Sequence, residues 1–402
     1  MPKIQIKSNP PDKAMCFIAF LNILNNIYAK IRIFTAKGNK MEIETLLQKQ
    51  QFDQNDLIAL LTCKGTDEEK LFAYTGKLRD QKIGNGVYLR GLIEISNVCS
   101  KDCLYCGIRK SNSKAERYSL SDQEIIESAA FAFKNRYGSI VLQGGERTDQ
   151  PFILRIEKLL QEIKQISNNQ LGITLSLGEQ TEETFKIWKQ AGAHRYLLRI
   201  ETSNEELYRK IHPNDALHNF HTRLDCLRLL QKCGYQTGTG VMIGLPFQTI
   251  DDLANDLLFL QSMDIDMVGM GPYLEHRDTP LWQYSDRLLP QKERLQLSLR
   301  MVSCLRLLMP DINIAATTAL QAIDPAGREK ALSIGANVIM PNITPTTNRA
   351  NYKLYENKPG MDEGAEASTR KLIESIRKSG GEVKLGEWGD SQHFQCRLSI
   401  DR

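Results

Sequence analysis

Eight short apolar runs, each followed by a longer amphipathic stretch, constrain the fold of this 402-residue chain more than any other feature. We predict strands at residues 92–96, 139–143, 172–177, 196–200, 237–243, 267–270, 312–317 and 336–340. The stretches between them have helical periodicity, and Ser121 with Glu124 forms a capping box before one of them. Alternating strands and helices indicate parallel βαβ units, and eight such units predict a complete (β/α)8 TIM barrel of the α/β class. An open doubly wound sheet is the alternative.

The barrel is expected over residues 81–345, which exceeds the roughly 250 residues that such a fold needs. We expect helices over residues 41–80 before the barrel and a C-terminal helical cap over residues 346–402. Residues 1–40 form an N-terminal extension whose apolar run is broken by asparagines and is too short to span a bilayer. Because Met41 opens a strongly helical segment, we expect translation to begin there, with a membrane anchor as the alternative.

The net charge and the distribution of the cysteines limit the partners and the cellular compartment that we expect for this chain. Residues 1–40 hold seven Lys or Arg against one Asp, which leaves the rest of the chain at about −2. A nearly neutral body argues against a nucleic-acid partner. Nine cysteines, three of them clustered, do not form the spaced pairs of a secreted disulfide framework. We therefore expect a reduced, cytoplasmic protein with one thiolate site and no membrane partner.

Cys99, Cys103 and Cys106 form a C-x3-C-x2-C motif directly after the first predicted strand. Three thiolates can each bind one iron of a [4Fe–4S] cluster and leave the fourth iron open, whereas structural clusters normally use four cysteines. The open iron can chelate the amino and carboxylate groups of a methionine. One electron from the cluster then breaks the sulfur–C5′ bond of S-adenosylmethionine (SAM). A zinc site is the alternative, but it needs a fourth ligand, and Cys63 and His194 are distant in sequence.

Other unusual residues fall where barrel enzymes place their chemistry, at the C-terminal ends of the strands. The segments QGGE, SLGE, RIET, GLP and MPN lie at the ends of the second, third, fourth, fifth and eighth predicted strands. Thr174 and Ser176 alternate on one face of the third strand, so both should point into the barrel. Hydroxyls are unusual where Val, Ile and Leu dominate, and we expect these two to line a cavity for SAM and substrate.

Together these segments resemble the HydE-type maturases of [FeFe]-hydrogenase, a family of the radical SAM superfamily. The resemblance runs in order from about residue 45 through SNVCSKDCLYCGIRKSN, VLQGGE, TLSLGE, RYLLRIETSN, GVMIGLPFQT, DMVGMGPYLEHRDTPL, NIAATTAL and GANVIMPNITP. It implies a radical SAM enzyme that reductively cleaves SAM to a 5′-deoxyadenosyl radical. It further implies a role in assembling the di-iron subcluster of the hydrogenase H-cluster. Biotin synthase and methylornithine synthase share the barrel and cysteine spacing but not TLSLGE or MVGMGP.

The resemblance assigns the SAM contacts by position. Gly144, Gly145 and Glu146 match the element whose backbone and carboxylate receive the methionine ammonium. Glu201 matches a glutamate that hydrogen-bonds the ribose or amino end, and Arg223 matches an arginine that pairs with the methionine carboxylate. An aromatic lies beside the adenine in this superfamily, and Tyr105 matches it; a packing role is the alternative for this ring.

The resemblance also implies a substrate cavity that binds small anionic or carboxylate-bearing ligands. The matching residues are Arg199, Thr317, Thr318 and Met340, and Tyr352 and Tyr355 match tyrosines beyond the eighth strand. A buried arginine is costly unless it pairs with an anion. The implied substrate is a small molecule or organometallic iron species bearing CO, cyanide and cysteine, supplied by another hydrogenase maturase. A low-potential reductant such as ferredoxin or flavodoxin would provide electrons.

Two departures from the family pattern matter. Many members have RHET where this chain has RIET, but Ile200 points away from the cavity by strand alternation. Some members carry a second cluster on three C-terminal cysteines, whereas NKPGMDEGAEAST has none, so we expect one [4Fe–4S] cluster and no second. Two alternatives stay open. One is a radical SAM enzyme that acts on an amino acid or thioether, and the other is a SAM-binding scaffold that delivers iron without turnover.

Overall fold

The computed structural model describes residues 42–360 and 364–400. The chain divides into two compact units, residues 1–49 and 50–402. The described residues of the first unit form helix α1 (Ile43–Leu47), and the predicted translation start at Met41 lies outside the described residues. In the second unit, α2 (Gln54–Thr62) and α3 (Thr66–Ile83) precede the sheet. Helices thus precede the first strand of the sheet.

The rest of the second unit alternates strands and helices. The strands are β1 (Gly86–Ser96), β2 (Ser139–Gly144), β3 (Gly172–Ser176), β4 (Arg195–Leu197), β5 (Gln236–Thr239), β6 (Met242–Ile243), β7 (Met267–Val268), β8 (Gly271–Pro272), β9 (Asn313–Ile314), β10 (Val338–Ile339) and β11 (Glu382–Lys384). The helices are α4 (Asp122–Lys134), α5 (Gln150–Ile166), α6 (Glu182–Gln190), α7 (Glu205–Ile211), α8 (Phe220–Lys232), α9 (Ile250–Ser262), α10 (Gln291–Leu308), α11 (Thr318–Ile323), α12 (Gly327–Ile334), α13 (Thr346–Arg349), α14 (Ala365–Lys378) and α15 (Gln392–Ile400). Short 3-10 turns cover Ala216–His218 and Pro280–Arg287. None of the described helices is both long and apolar enough to cross a membrane.

Eight parallel strands are hydrogen-bonded in the order β10-β1-β2-β3-β4-β5-β7-β9. A doubly wound sheet would reverse its order at a switch point, whereas this order follows the chain. The strands β9 and β10 end the path, with one parallel bridge between Ala315 and Val338 in the described chain. The predicted α/β fold with parallel strands is confirmed. A complete closed barrel is not shown, because β9 and β10 are not paired in the strand order and that single bridge joins them in the described chain.

Several predicted boundaries differ from those of the structure. The fifth predicted strand, 237–243, divides into β5 and β6 at Gly240, where the backbone approaches Gly269 so closely that a Cβ would lie 1.9 Å from the Gly269 carbonyl oxygen. The strand β6 pairs instead with β8. The region 346–402 is not wholly helical, since β11 pairs in parallel with the first residues of β1. The capping box at Ser121 and Glu124 is present at the start of α4.

Residues 386–391, here named the floor segment, bridge the N-terminal ends of the strands. The carbonyl oxygen of Gly389 accepts hydrogen bonds from Nη2 of Arg90 at 3.0 Å and from Nδ2 of Asn313 at 2.8 Å. Arg90 lies on β1 and Asn313 opens β9, so the segment links strands from opposite parts of the sheet order. The end of the sheet away from the motif loops is therefore covered by the chain itself.

Asp390 is the charged group of the floor segment. Its carboxylate accepts from Arg195, which opens β4, and from Nε2 of Gln236 at 2.9 Å, and it lies 3.3 Å from Nε2 of His194. Nδ1 of His194 accepts from the backbone N–H of Ile173 at 3.4 Å, so the neutral ring carries its proton on Nε2 and donates it to Asp390. Burial, with the charge of Arg195, lowers the pKa of His194 to about 3.

Candidate active site

The three cysteines of the motif lie on the loop that follows β1. Burial raises the pKa of Cys103 to about 12 and also raises the pKa values of Cys99 and Cys106. The thiols of Cys103 and Cys99 raise the pKa of Cys106 further, because the three groups lie near one another. The three cysteines are partly buried, and a thiol with a raised pKa becomes a thiolate only where a cation stabilises the charge, as the irons of an iron–sulfur cluster do. This donor set fits the predicted three-cysteine cluster.

Among the described residues, no three His, Cys, Asp or Glu side chains are grouped so as to hold one metal ion.

The GGE element after β2 packs directly against the cysteine loop. The backbone N–H of Glu146 donates to Sγ of Cys99 at 3.3 Å, and the carbonyl of Glu146 accepts from the backbone N–H of Ser100 at 2.8 Å. A Cβ on Gly145 would lie 2.3 Å from the carbonyl oxygen of Val98. Glycine is needed here because the two loops touch through their backbones.

Four buried charged side chains, here named the four-charge network, lie beside this loop. Nζ of Lys101 is 3.0 Å from Oε1 of Glu146 and 2.9 Å from Oε2 of Glu179. Nε of Arg223 is 2.8 Å from Oε1 of Glu179, and its Nη1 is 3.6 Å from Oε2 of Glu146. None of the four side chains is more than 12% exposed, so solvent screens their interactions weakly.

The network borders the thiols. Burial raises the pKa of Cys103, and the nearby charge of Arg223 opposes that rise. The pKa of Lys101 itself is raised, because Glu146 and Glu179 outweigh the effect of burial. Glu146 and Arg223 were predicted from the sequence to lie at this site, whereas Lys101 and Glu179 were not. Both were visible in quoted motifs, as the second residue after the first cysteine and as the last residue of SLGE.

Two histidines hold the cysteine loop from α7 and the turn that follows it. Nδ1 of His212 lies 2.9 Å from the carbonyl oxygen of Tyr208 and must donate to it, so Nε2 accepts from the hydroxyl of Tyr105 at 3.3 Å. Nε2 of His218 accepts from the backbone N–H of Asp102 at 2.9 Å. The Tyr105 ring also packs against a buried apolar cluster. Its position is compatible with packing and with an adenine contact alike.

Glu201 and Arg199 form a pair at the end of β4. Glu201 has φ of 68°, a conformation that costs a non-glycine residue energy and that clusters at functional sites. Nη2 and Nε of Arg199 lie 2.8 and 2.9 Å from the two carboxylate oxygens of Glu201. Arg199 also donates to the carbonyls of Gly269 and Val241. Its side chain is 30% exposed and its charge is balanced inside the chain, so Arg199 by itself does not call for an anionic substrate.

A cavity of about 380 Å³, including space open to solvent, lies among the strands. Thr174 and Met340, both predicted cavity residues, line it. Thr174 is 2% exposed, and its hydroxyl has no hydrogen-bond partner among the described residues. Gly269, whose carbonyl receives Arg199, lines the same cavity. A buried hydroxyl without a partner costs free energy unless a ligand or water satisfies it.

The other predicted cavity residues lie at strand ends. Thr317 precedes α11, and its hydroxyl donates to the carbonyl of Met270 at 3.2 Å. Thr318 is the first residue of α11, and Ser176 is the last residue of β3 and is partly buried.

A second buried ion pair was missed from the sequence. Glu94 on β1 is 1% exposed, pairs with Lys358 and accepts from Nδ2 of Asn342 at 3.0 Å. Nζ of Lys358 donates to the carbonyl of Tyr352 at 3.0 Å and lies 4.9 Å from the centre of its ring. The chain beyond β10 is thereby tied to the first strand, with Tyr352 buried beside the pair.

Comparison with known proteins gives concordant results. The sequence profile of the radical SAM superfamily matches residues 93–260. The [FeFe] hydrogenase maturase subunit HydE of Thermotoga maritima is 43% identical over 354 residues, which cover 87% of this chain and 96% of that protein. The 3-methylornithine synthase of Methanosarcina acetivorans is 30% identical over 316 residues, which cover 77% of this chain and 85% of that protein.

Solved structures share the fold. The crystal structure of methylornithine synthase has a TM-score of 0.71 at 25% identity and covers 86% of this chain and 97% of that one. The X-ray structure of the maturase HydG from Carboxydothermus hydrogenoformans has a TM-score of 0.72, but its 18% identity supports likeness of fold alone, over 93% of this chain and 85% of that one. The sequence match and the fold are those of the radical SAM enzymes. Within that class, the 43% identity shows that the chain belongs to the family of the HydE maturases.

Proposed function

We propose that this chain cleaves SAM reductively and acts in the maturation of [FeFe]-hydrogenase. The observation that carries the proposal is the four-charge network beside three neighbouring thiols, in a chain 43% identical to a HydE maturase subunit. When bound on Cys99, Cys103 and Cys106, the [4Fe–4S] cluster supplies the electron that breaks the sulfur–C5′ bond of SAM.

The chain's own part is to hold the amino-acid end of SAM next to the cysteine loop. Glu146 accepts hydrogen bonds from its ammonium, and the guanidinium of Arg223 donates to its carboxylate. Gly144 and Gly145 contribute through their backbones, and Gly145 lets this element lie against the cysteine loop. Fixing both the ammonium and the carboxylate of the methionine removes rotational freedom before the reaction and orients the sulfonium.

The remaining SAM contacts are proposed at the neighbouring strand ends. Glu201 accepts a ribose hydroxyl, and Arg199 acts as a positioning residue because it holds both carboxylate oxygens of Glu201. Tyr105 lies beside the adenine with its hydroxyl fixed by His212. Thr174 offers its unpartnered hydroxyl to the ligands in the cavity.

The substrate is proposed to bind in the cavity lined by Thr174 and Met340, with Arg199, Ser176, Thr317 and Thr318 at its border. It is a small organometallic iron species supplied by another hydrogenase maturase, and a low-potential ferredoxin or flavodoxin provides electrons in a reduced cytoplasm. We also propose that the parallel strands form a complete closed barrel, joined between β9 and β10. The bridge between Ala315 and Val338 supports this, and closure would exclude water from a reactive radical.

Anaerobic reconstitution tests the proposal. With SAM and dithionite, the chain should form 5′-deoxyadenosine, and it should restore hydrogenase activity to an extract that lacks its own maturase of this type. Cys99→Ser should abolish both activities, while Cys233→Ser, at the end of α8, serves as the matched control. About four irons per chain support a single cluster, and about eight would contradict it.

A second candidate function follows from the 30% identity to a 3-methylornithine synthase. Formation of 5′-deoxyadenosine that depends on an added amino acid, without restored hydrogenase activity, would favour that class. SAM binding without any 5′-deoxyadenosine would favour an iron-delivering scaffold.

A further inference from the structure

The four-charge network balances itself without any ligand. Its two cations and two carboxylates are all buried and in contact, yet two of the four, Lys101 and Glu179, have no part in the proposed SAM contacts. Burying a charge is costly unless it is paired, so Glu146 and Arg223 need partners whenever SAM is absent.

Lys101 and Glu179 make the same two contacts that are proposed for SAM. The ammonium of Lys101 lies 3.0 Å from Glu146, and the carboxylate of Glu179 lies 2.8 Å from Arg223. The ammonium and the carboxylate also contact each other at 2.9 Å, as the two groups of one amino acid do. We infer that Lys101 and Glu179 occupy the amino-acid part of the SAM site in the ligand-free chain, and that SAM displaces them when it binds. The inference rests on the proposed SAM contacts of Glu146 and Arg223.

The geometry is suited to exchange. Nε of Arg223 and Oε1 of Glu179 lie within ion-pair distance, but neither has a directed hydrogen bond among the described residues. A SAM carboxylate could gain the directed bonds that Glu179 lacks. Lys101 also donates to the carbonyl of Leu217, so it keeps an anchor after leaving Glu146. The exchange therefore costs Lys101 one of its contacts rather than all of them.

Occupation of the SAM site by Lys101 and Glu179 should weaken the apparent affinity of the chain for SAM. The SAM carboxylate can reach Arg223 only in those chains in which Glu179 has moved away, so the apparent affinity for SAM falls in proportion to that fraction. If about one chain in ten is open, removing the competing carboxylate tightens the apparent Kd by roughly tenfold. The gain should depend on the SAM carboxylate, because Glu179 competes for the group that binds it.

The test measures SAM binding by anaerobic equilibrium dialysis on the reconstituted protein, together with melting temperature with and without SAM. Glu179→Gln removes the competing charge at constant shape, and Glu183→Gln, exposed on α6, is the matched control. The double variant Lys101→Gln/Glu179→Gln keeps the network neutral and decides the matter if the single variant fails to fold. Decarboxylated SAM is the second ligand.

We expect Glu179→Gln to melt lower than the native chain without SAM, to bind SAM roughly tenfold more tightly and to show a larger SAM-induced rise in melting temperature. The affinity for decarboxylated SAM should stay native. A purely structural glutamate would lower the melting temperature without improving SAM binding, and that result overturns the inference. A gain that persists with decarboxylated SAM also overturns it. If the native chain and Glu183→Gln bind no SAM at all, the proposed function fails as well.

Discussion

The pH dependence of stability should be governed in part by His194, the ring that the floor segment buries. Its pKa is lowered to about 3 from an ordinary value of 6.5, first by burial and then by the charge of Arg195. In the unfolded chain His194 therefore binds a proton below pH 6.5, whereas in the folded chain it binds one only below about pH 3. The stability that depends on neutral His194 is complete above pH 6.5 and declines as the pH falls toward 3.

The size of the effect follows from the window. Each pH unit inside it changes the free energy of unfolding by about 1.4 kcal/mol per group, so lowering the pH from 6.5 to 5.0 should cost about 2 kcal/mol through this ring alone. The ring is only 16% exposed, so solvent screening does not call for a large discount. Protonation at Nδ1 would also set an N–H against the N–H of Ile173, which now donates to that nitrogen.

The variant His194→Phe keeps a ring against Trp388 but cannot titrate. Its free energy of unfolding should be lower at every pH, because the hydrogen bonds to Asp390 and Ile173 are lost. Urea unfolding of the cluster-free chain at pH 6.5 and 5.0 should show that native stability falls by about 2 kcal/mol more than that of the variant. His221→Phe, at a ring 66% exposed on α8, should keep the native pH dependence. Equal pH slopes in the native chain and His194→Phe would refute the reasoning.

Three further substitutions test other parts of the structure. Gly145→Ala places a Cβ 2.3 Å from the carbonyl of Val98. The iron that the reconstituted variant retains after gel filtration should therefore fall well below that of the native chain. A native iron content would contradict the close contact. Thr174→Val replaces a buried hydroxyl that has no partner among the described residues, so denaturant stability should hold while SAM-dependent turnover falls; loss of stability would argue against a ligand role. His393, whose pKa hydrogen bonding to Asp311 raises to about 9, should contribute stability that is complete below pH 6.5 and lost as the pH rises through 9. The variant His393→Asn should therefore lose less stability than the native chain, by up to about 3 kcal/mol, between pH 6.5 and 9 in urea unfolding.

The order of the strands could be predicted from the sequence because each apolar run and the helix after it form a local unit. The alternation fixed which segments pair, and the structure confirms parallel pairing in chain order. Strand lengths could not be read in the same way. The apolar pattern continues through Gly240, whereas β5 ends just before it, where Gly269 from a later part of the chain lies against the backbone.

In the candidate site, too, only the features that belong to local sequence motifs could be predicted. Cys99, Glu146 and Arg223 stand in recognisable strings, and their SAM roles stay predictions. A local motif does not show which distant residue a side chain contacts, such as the contact of Lys101 with Glu179, 78 residues later. The pairing of Arg199 with Glu201 was also missed, although only two positions separate them. Strand alternation predicts that the two side chains lie on the same face. It does not predict the positive φ of Glu201 that brings them together.

The floor segment also bears on how the chain is synthesised. Arg195 opens β4, but the carboxylate that balances it comes 195 residues later, at Asp390. At typical translation rates of 5–20 residues per second, a nascent chain would carry this arginine without its partner for roughly 10 to 40 seconds. During that time the first strands can pair, but the cation beneath them must stay hydrated. Burial of that end of the sheet is thus a late folding event, and the half-made protein is the form most exposed to aggregation and to chaperones.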